Sequence, residues 1–479
     1  METNETRMPI FTWEQLQGNQ AEFKRIFERN KDGMDKSLEL ARPIFEAVRT
    51  GGNQKIVDLE LMYNKKLTPE TYNIENLKLT EADIKKAYEK VGAEGLKTIK
   101  EYNRGVKMIG DALMEKEREV VTVERTPGFS ASYLKVPFDS VGVYCPAGQV
   151  PLPIVSGMLV QSAACAGVKR IAVFYPPTDL DAEIIVAGVE AGATEFYRIG
   201  GAQAMAAMTF GTETIKPFQM VVGPGSTITQ AGKMIAKEKG LSSDAIGGPS
   251  EQVVLVEDGA SIEAVIMAAR DILTECEHGE TSAGLVVTNS EKIAEQIKDV
   301  LLRFVAIEER GTVISEAFRR ASAIIVASSP KEMAEIAGRY AGEHIGLYMR
   351  KPEQYIEVVK SPSVSLNDIE SGAAYMSTAR ANYGGTYHAT LPTGINGVNQ
   401  RGSTTPAIFM KEIEVMKIKN ESATLGLDVC AALAKCELLP SHRNAMATTS
   451  ILTKTAVAGL EENTELKNVV EGILKDYRS

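Results

Sequence analysis

SVGVYCPAGQVPLPIVSGMLVQSAACAGVKRIAVFYPP, residues 140–177, carries the pattern on which the fold turns. A short β-branched run at 141–144 gives way to a helical run at 155–166 and then to a second β-branched run at 170–174. Strand, helix, strand in that order is a βαβ unit, and βαβ units build parallel sheets. The alternation continues downstream, with strands predicted at 195–199 and 219–222 and helices at 181–192, 202–210 and 227–239. Residues 141–250 therefore read as one Rossmann-like layer.

A second α/β series follows Gly247-Gly248-Pro249-Ser250. Its predicted strands are 253–256, 284–288, 323–327, 345–349 and 363–366, separated by helices at 262–276, 291–305 and 331–340. Upstream, 13–29 and 84–118 show apolar residues three or four apart with charges on the other face, the mark of amphipathic helices. Residues 1–140 are thus expected to be a helical section whose latter part packs with the second α/β domain. Residues 371–405 break the rhythm with Gly, Thr, Asn and Tyr, the composition of a long functional loop. From 406 the chain reads as helical again, with Pro440 between two periodic runs. The expected domains are 1–140, 141–250 on the cofactor side, 251–400, and a helical tail at 401–479.

Composition removes several function classes. A net charge of −10 and a pI of 5.3 lack the basic footprint that nucleic acid requires. No apolar run approaches the roughly 18 residues of a membrane span, and the first residues have neither the basic nor the apolar part of a signal peptide. Five scattered cysteines are too few for a disulfide framework in 479 residues and predict a reducing cytoplasm. Histidine is scarce: there are four.

Gly200-Gly201-Ala202-Gln203 and Gly223-Pro224-Gly225-Ser226 each follow a predicted strand and precede a helix, where backbone N–H groups and the helix dipole suit an anion. Tight strand-to-helix turns also need glycine for steric reasons alone, and neither turn is a GxGxxG fingerprint. Tyr144 ends a third such strand and can stack on a ring.

The histidines all have polar or loop settings. Glu275 and His278 are three apart in Glu-Cys-Glu-His-Gly, so a helix would put carboxylate and imidazole on one face, with Gly279 available as a C-cap. Glu343-His344 stands at the mouth of a predicted strand. His388 lies in the long loop, and His442 follows Pro440, five residues after Glu437. Any one of these can be a surface or satisfied core histidine. Together they suggest two metal ligands and two proton-handling groups.

The ordered set VGVYCPAGQVPLP, IGGAQAMAAMTFGTE, VVGPG, GGPSE, ECEHG, GEHI, YHATLPT and ELLPSHRNA resembles the histidinol dehydrogenase family from about Val141 to Ala445. The resemblance implies an aldehyde dehydrogenase-like arrangement of two Rossmann-like parallel-sheet domains. It also implies a cytoplasmic homodimer that uses zinc and NAD to oxidise a primary alcohol, with the tail exchanged between subunits. By the same resemblance, His278 and His442 are zinc ligands, His442 reaching the site from the other subunit, and Glu343 and His344 are the acid–base pair. His388, Glu437, Ser250 and Glu370 match substrate positions; Tyr144 and Gln203 match contacts to NAD.

The chain also departs from that family. The zinc-binding glutamine is Glu275 here, and the zinc-binding aspartate aligns with Ala374 or, alternatively, Asn382. Glu275, His278 and His442 would make a His₂Glu set with an open position, a known arrangement for catalytic zinc. Ser226 replaces an asparagine on the NAD side. From Ser371 to Met410 there is no Asp or Glu, while Arg380 and Arg401 are present. Carboxylates would suit a cationic amino alcohol and arginine an anionic substrate, so the expectation is a small hydroxylated, possibly anionic alcohol such as a sulfonated or carboxylated polyol. Genuine histidinol dehydrogenase and a degenerate, non-catalytic homologue are the alternatives. A nucleophilic Cys276 is disfavoured by the flanking Glu275 and Glu277, which suppress a thiolate.

Overall fold

The structure, a computed structural model, describes residues 8–28, 34–147, 151–370, 375–383, 404–419, 422–456 and 463–478. Its strands, in chain order, are β1 (Ile10–Thr12), β2 (Val121–Thr126), β3 (Phe129–Pro137), β4 (Ser140–Tyr144), β5 (Arg170–Tyr175), β6 (Glu195–Arg198), β7 (Met220–Val222), β8 (Ser242–Ser243), β9 (Glu251–Val256), β10 (Ala283–Thr288), β11 (Ala323–Val326), β12 (His344–Met349), β13 (Ser363–Asp368) and β14 (Met410–Ile418). They form sheets of order β6-β5-β4-β7-β8, β1-β11-β10-β9-β12-β13 and β14-β3-β2.

The five- and six-stranded sheets pair in parallel. In the first, the chain steps outward from β4 to β6 and then returns to the other side of β4 as β7. The second repeats this plan, stepping from β9 to β11 and returning beside β9 as β12. Each sheet is doubly wound, with a switch point where the direction of travel reverses.

Period-two alternation buries both faces. Val141 and Val143 join Ile171, Val173 and Tyr175 in one core, while Tyr144 joins Ala172 and Phe174 in the core on the opposite face. In the six-stranded sheet Val254, Val256 and Val286 face one core and Val253, Leu255 and Val287 the other. Each such side chain contributes roughly 1.5–3 kcal/mol by leaving water. Helix Pro153–Ala166 is buried around nearly its whole circumference and stops at Gly167, whose φ of 99° ends it in the left-handed region.

The opening section packs the other way round from the expectation. β1 pairs with β11 and extends the six-stranded sheet, and Leu16 and Ile26 of the next two helices enter its core. The latter part goes to the five-stranded sheet instead: helices Met34–Tyr63 and Glu81–Glu117 supply Phe45, Val48, Ile56, Val106 and Met114 to its two cores. The expectation of an all-helical opening and tail is corrected as well. Residues 121–137 form the antiparallel β2–β3 hairpin, and β14 lies beside β3. Residues 121–125 of β2 and nearly all of β14 are exposed, so no buried face marks these strands in the sequence.

The chain divides into two compact units, Met1–Glu115 with Pro137–Met410, and Lys116–Val136 with Lys411–Ser479. The second holds the three-stranded sheet and helices Leu427–Cys436, Pro440–Thr453 and Thr464–Arg478. Among the described residues no helix is long and apolar enough to cross a membrane.

Candidate active site

Helix Ile262–Cys276 starts at Ser261, whose hydroxyl caps the Ala264 N–H. It crosses the six-stranded sheet and delivers Glu275 to the edge where β12 begins with His344. Glu343 is the residue before. Glu275, Glu343 and His344 are all buried, and their ligand-type atoms lie within 4.8 Å of one another. His344 Nε2 is 3.7 Å from Glu343 Oε1 and 4.0 Å from Glu275 Oε1. His278 Nε2, more exposed, is 3.8 Å from Glu275 Oε2.

Glu275 Oε1 is buried and accepts no hydrogen bond. A carboxylate oxygen in that state is expensive unless a cation or a proton meets it. Glu275 with the His278 imidazole 3.8 Å away is a carboxylate–imidazole pair of the kind that zinc takes, so these two residues fit part of a zinc site. Burial pushes the His344 pKa down; Glu275 pulls it back up and His278 adds to the fall. The imidazole is therefore neutral near pH 7, with a lone pair available to take a proton.

The helix ends at Cys276, with Glu277 as its C-cap. The helical reading of Glu275–His278 and the Gly279 cap are corrected accordingly: the run leaves the helix, and the His278 N–H to Glu275 carbonyl bond of 3.3 Å still folds the imidazole back. Cys276 itself is fully buried.

A network that sequence reasoning missed braces this edge. Asp271, one turn before Glu275, accepts the Tyr348 hydroxyl at 2.8 Å and the Thr378 N–H at 3.0 Å. The Thr378 hydroxyl donates to Gln252 Oε1 at 2.8 Å, and Gln252 is the register partner of His344. The i, i+4 spacing of Asp271 and Glu275 was the available signal. Ser250 immediately precedes β9 at this same edge.

Glu370 follows the opposite, carboxyl end of β13, where Arg350 holds it at 3.3 Å, so the structure does not bring it to the cluster. Arg380 is exposed on helix Thr378–Tyr383, which also carries Asn382. Glu437 and His442 are exposed in the second unit, the first as C-cap of helix Leu427–Cys436 and the second on helix Pro440–Thr453. His388, Arg401 and Ala374 lie outside the described residues.

The carboxyl edge of the five-stranded sheet carries the Gly200-Gly201 and Gly223-Pro224-Gly225 turns. Tyr144 closes β4 with its ring buried, and its hydroxyl accepts the Gly201 N–H at 3.0 Å. Burial raises its pKa to about 12. Gln203 is buried, with Nε2 2.8 Å from Glu60 Oε1. Gly223 has φ +126°, and a Cβ there would collide with the Tyr144 carbonyl oxygen. Its N–H donates to Asp244 Oδ2 at 2.8 Å and its carbonyl accepts from Lys233 Nζ at 3.0 Å. Lys233 and Asp244 form a fully buried pair at 2.6 Å. Ser226, exposed, is the N-cap of helix Thr227–Glu238. A close-approach glycine at the switch point of a doubly wound sheet fits a dinucleotide.

The chain is thus an α/β protein of two doubly wound sheets, one with close-approach glycine turns and one with a buried imidazole–carboxylate centre. A sequence model of histidinol dehydrogenase matches residues 27–449. The chain is similar to histidinol dehydrogenase of Methanothermobacter thermautotrophicus, 30% identical over 424 residues, 87% of this chain and 94% of that one. It is also similar to histidinol dehydrogenase of Methanopyrus kandleri, 29% identical over 436 residues, 89% of this chain and 96% of that one. The crystal structure of histidinol dehydrogenase from Elizabethkingia anophelis shares the fold, with a TM-score of 0.81 at 24% identity over 92% of this chain and 98% of that one. The chain belongs to the histidinol dehydrogenase family, which consists of NAD-dependent oxidoreductases.

Proposed function

We propose that this chain is an NAD- and zinc-dependent dehydrogenase of a primary alcohol, and that the alcohol is histidinol. The observation that carries the reaction class is the buried convergence of Glu275, Glu343 and His344, with Glu275 Oε1 unmet by any donor. The substrate rests on the similarity, over most of both lengths, to proteins named for histidinol.

When bound, NAD supplies the oxidant and zinc the Lewis acidity. Neutral His344 takes the hydroxyl proton of the alcohol. Glu343, beside it, takes a proton from the water that adds to the aldehyde, so that a second oxidation yields the carboxylate. Glu275 and His278 would hold the metal, with His442 of a second copy completing the set. Tyr144, Gln203 and Ser226 border the cofactor side. Ser250, His388 and Glu437 are assigned to the substrate.

A homodimer with shared sites is supported by the exposed apolar side chains of the second unit, among them Leu433, Leu438 and Tyr477. None of the five cysteines is in a disulfide, which suits a cytoplasmic enzyme.

A second reading, oxidation of a small anionic alcohol, is favoured by the absence of acids from Ser371 to Met410. Arg380 gives it less support, since its side chain is exposed. The test follows NADH formation by the purified, zinc-analysed protein with histidinol and with sulfonated and carboxylated alcohols of similar length. Efficient turnover of histidinol is expected; turnover of the anionic alcohols alone would replace the substrate assignment. Absence of both zinc and NAD reduction would overturn the enzyme reading.

A further inference from the structure

Thr378 has no part in the proposed reaction, yet both of its donors reach the surroundings of the buried cluster. Its N–H donates to Asp271 Oδ1 at 3.0 Å and its hydroxyl to Gln252 Oε1 at 2.8 Å. All three residues are buried. Asp271 stands one turn before Glu275 on helix Ile262–Cys276, and Gln252 is the register partner of His344 on the neighbouring strand. One residue therefore ties the helix that carries Glu275 to the strand beside the one that carries His344.

Two further contacts close this frame. Positions 344, 346 and 348 share one face of β12. From the last of them the Tyr348 hydroxyl donates to Asp271 Oδ2 at 2.8 Å. Gly346, between them, leaves room for that approach: a Cβ there would stand 3.3 Å from Asp271 Oδ2 and 3.1 Å from the Tyr348 ring. On the other side Asn367 of β13 grips the residue two before Thr378. Its Oδ1 accepts the Met376 N–H at 2.6 Å and its Nδ2 donates to the Met376 carbonyl at 3.3 Å. The frame holds Glu275 Oε1 at 4.0 Å from His344 Nε2. A misplacement of about 1 Å in such a constellation can cost about 10²-fold in rate.

We propose that Thr378 is a positioning residue of the active site: acting through Asp271 and Gln252, it sets where Glu275 stands against His344, and with it metal capture and proton transfer. The inference rests on the roles proposed above for Glu275 and His344.

The test compares wild type with Thr378→Val, which keeps the N–H and the shape but loses the hydroxyl, and with Thr378→Ser, which keeps both donors. Each purified protein is read for zinc affinity by competition with a chromogenic chelator, for histidinol oxidation by NAD, and for melting temperature. Thr378→Val should bind zinc at least fivefold more weakly and lower kcat at least tenfold, with the KM for NAD within twofold of wild type. Thr378→Ser should return zinc affinity and kcat to within threefold of wild type. A role in stability alone would lower the melting temperature and leave zinc affinity and kcat of the folded protein where they were. Wild-type zinc affinity or wild-type kcat in folded Thr378→Val overturns the proposal, as does failure of Thr378→Ser to restore them. If Thr378→Val does not fold, Tyr348→Phe, which removes only the hydroxyl on Asp271, is read in the same assays with the same expectations, and wild-type values there overturn the proposal. Wild type that neither binds zinc nor reduces NAD overturns the assigned roles of Glu275 and His344 themselves.

Discussion

Replacing Asp271 with asparagine should stabilise the six-stranded layer relative to wild type by an amount that grows with pH. Asp271 is fully buried. Burial pushes its carboxyl from the ordinary 3.8 to about 7, against the pull of the Tyr348 hydroxyl and the Thr378 N–H, with Glu275 adding to the rise. A carboxyl whose folded pKa lies above its unfolded value holds its proton more tightly when folded. Its contribution to stability is therefore complete below about pH 4 and is lost as pH rises through about 7. Each pH unit inside that window is worth about 1.4 kcal/mol, and allowing for the rounded ends leaves about 2–3 kcal/mol between pH 5 and 7.5. Asparagine keeps an acceptor for Thr378 and does not titrate. Urea unfolding followed by Trp13 fluorescence is the suitable assay. Trp13 is the chain's lone tryptophan and packs against Phe27, at 5.6 Å between ring centroids, in the core on one face of that sheet. The stability of Asp271→Asn minus that of wild type should rise by about 2–3 kcal/mol from pH 5 to 7.5 and level off above pH 8. A difference that stays flat across this range would refute the burial argument.

Lys233→Met leaves Asp244 as a buried unpaired acid and should destabilise by about 3–5 kcal/mol in thermal or urea unfolding, with most of the loss restored in Lys233→Met/Asp244→Leu. Gly223→Ala must place a methyl against the Tyr144 carbonyl in left-handed backbone; a loss of at least about 2 kcal/mol and weakened NADH binding are expected in the same titrations. His344→Asn should lower kcat by about 10²–10⁴-fold while the circular dichroism spectrum and melting temperature stay near wild type. Retained turnover there would remove His344 from the proton-transfer role.

Much of the fold is legible locally. β4, β5, β7 and β9 to β12 announce themselves because both faces of a parallel strand are buried, so each is a short, largely apolar run. Glu343-His344 and Glu275–His278 are legible for a similar reason, since each pair is brought together by neighbours in the chain. β1 carries no comparable signal: Ile10–Thr12 is three residues long, and its partner is Ile324–Val326. The sides taken by the opening helices depend on which core has room for Phe45 or Leu16, and periodicity records only that an apolar face exists.

The same division holds for the sites. Residue type and spacing, by themselves, determine a doubly wound α/β protein, four functional-looking histidines and the glycine turns that a dinucleotide would need. Tertiary structure alone decides that Glu60 meets Gly200 across 140 residues, that Thr378 meets Asp271 across 107, and that Glu370 is held by Arg350 at the far end of its strand. Chain proximity writes local geometry into the sequence, whereas the protonation state of a buried acid depends on groups that meet only when the layers close over it.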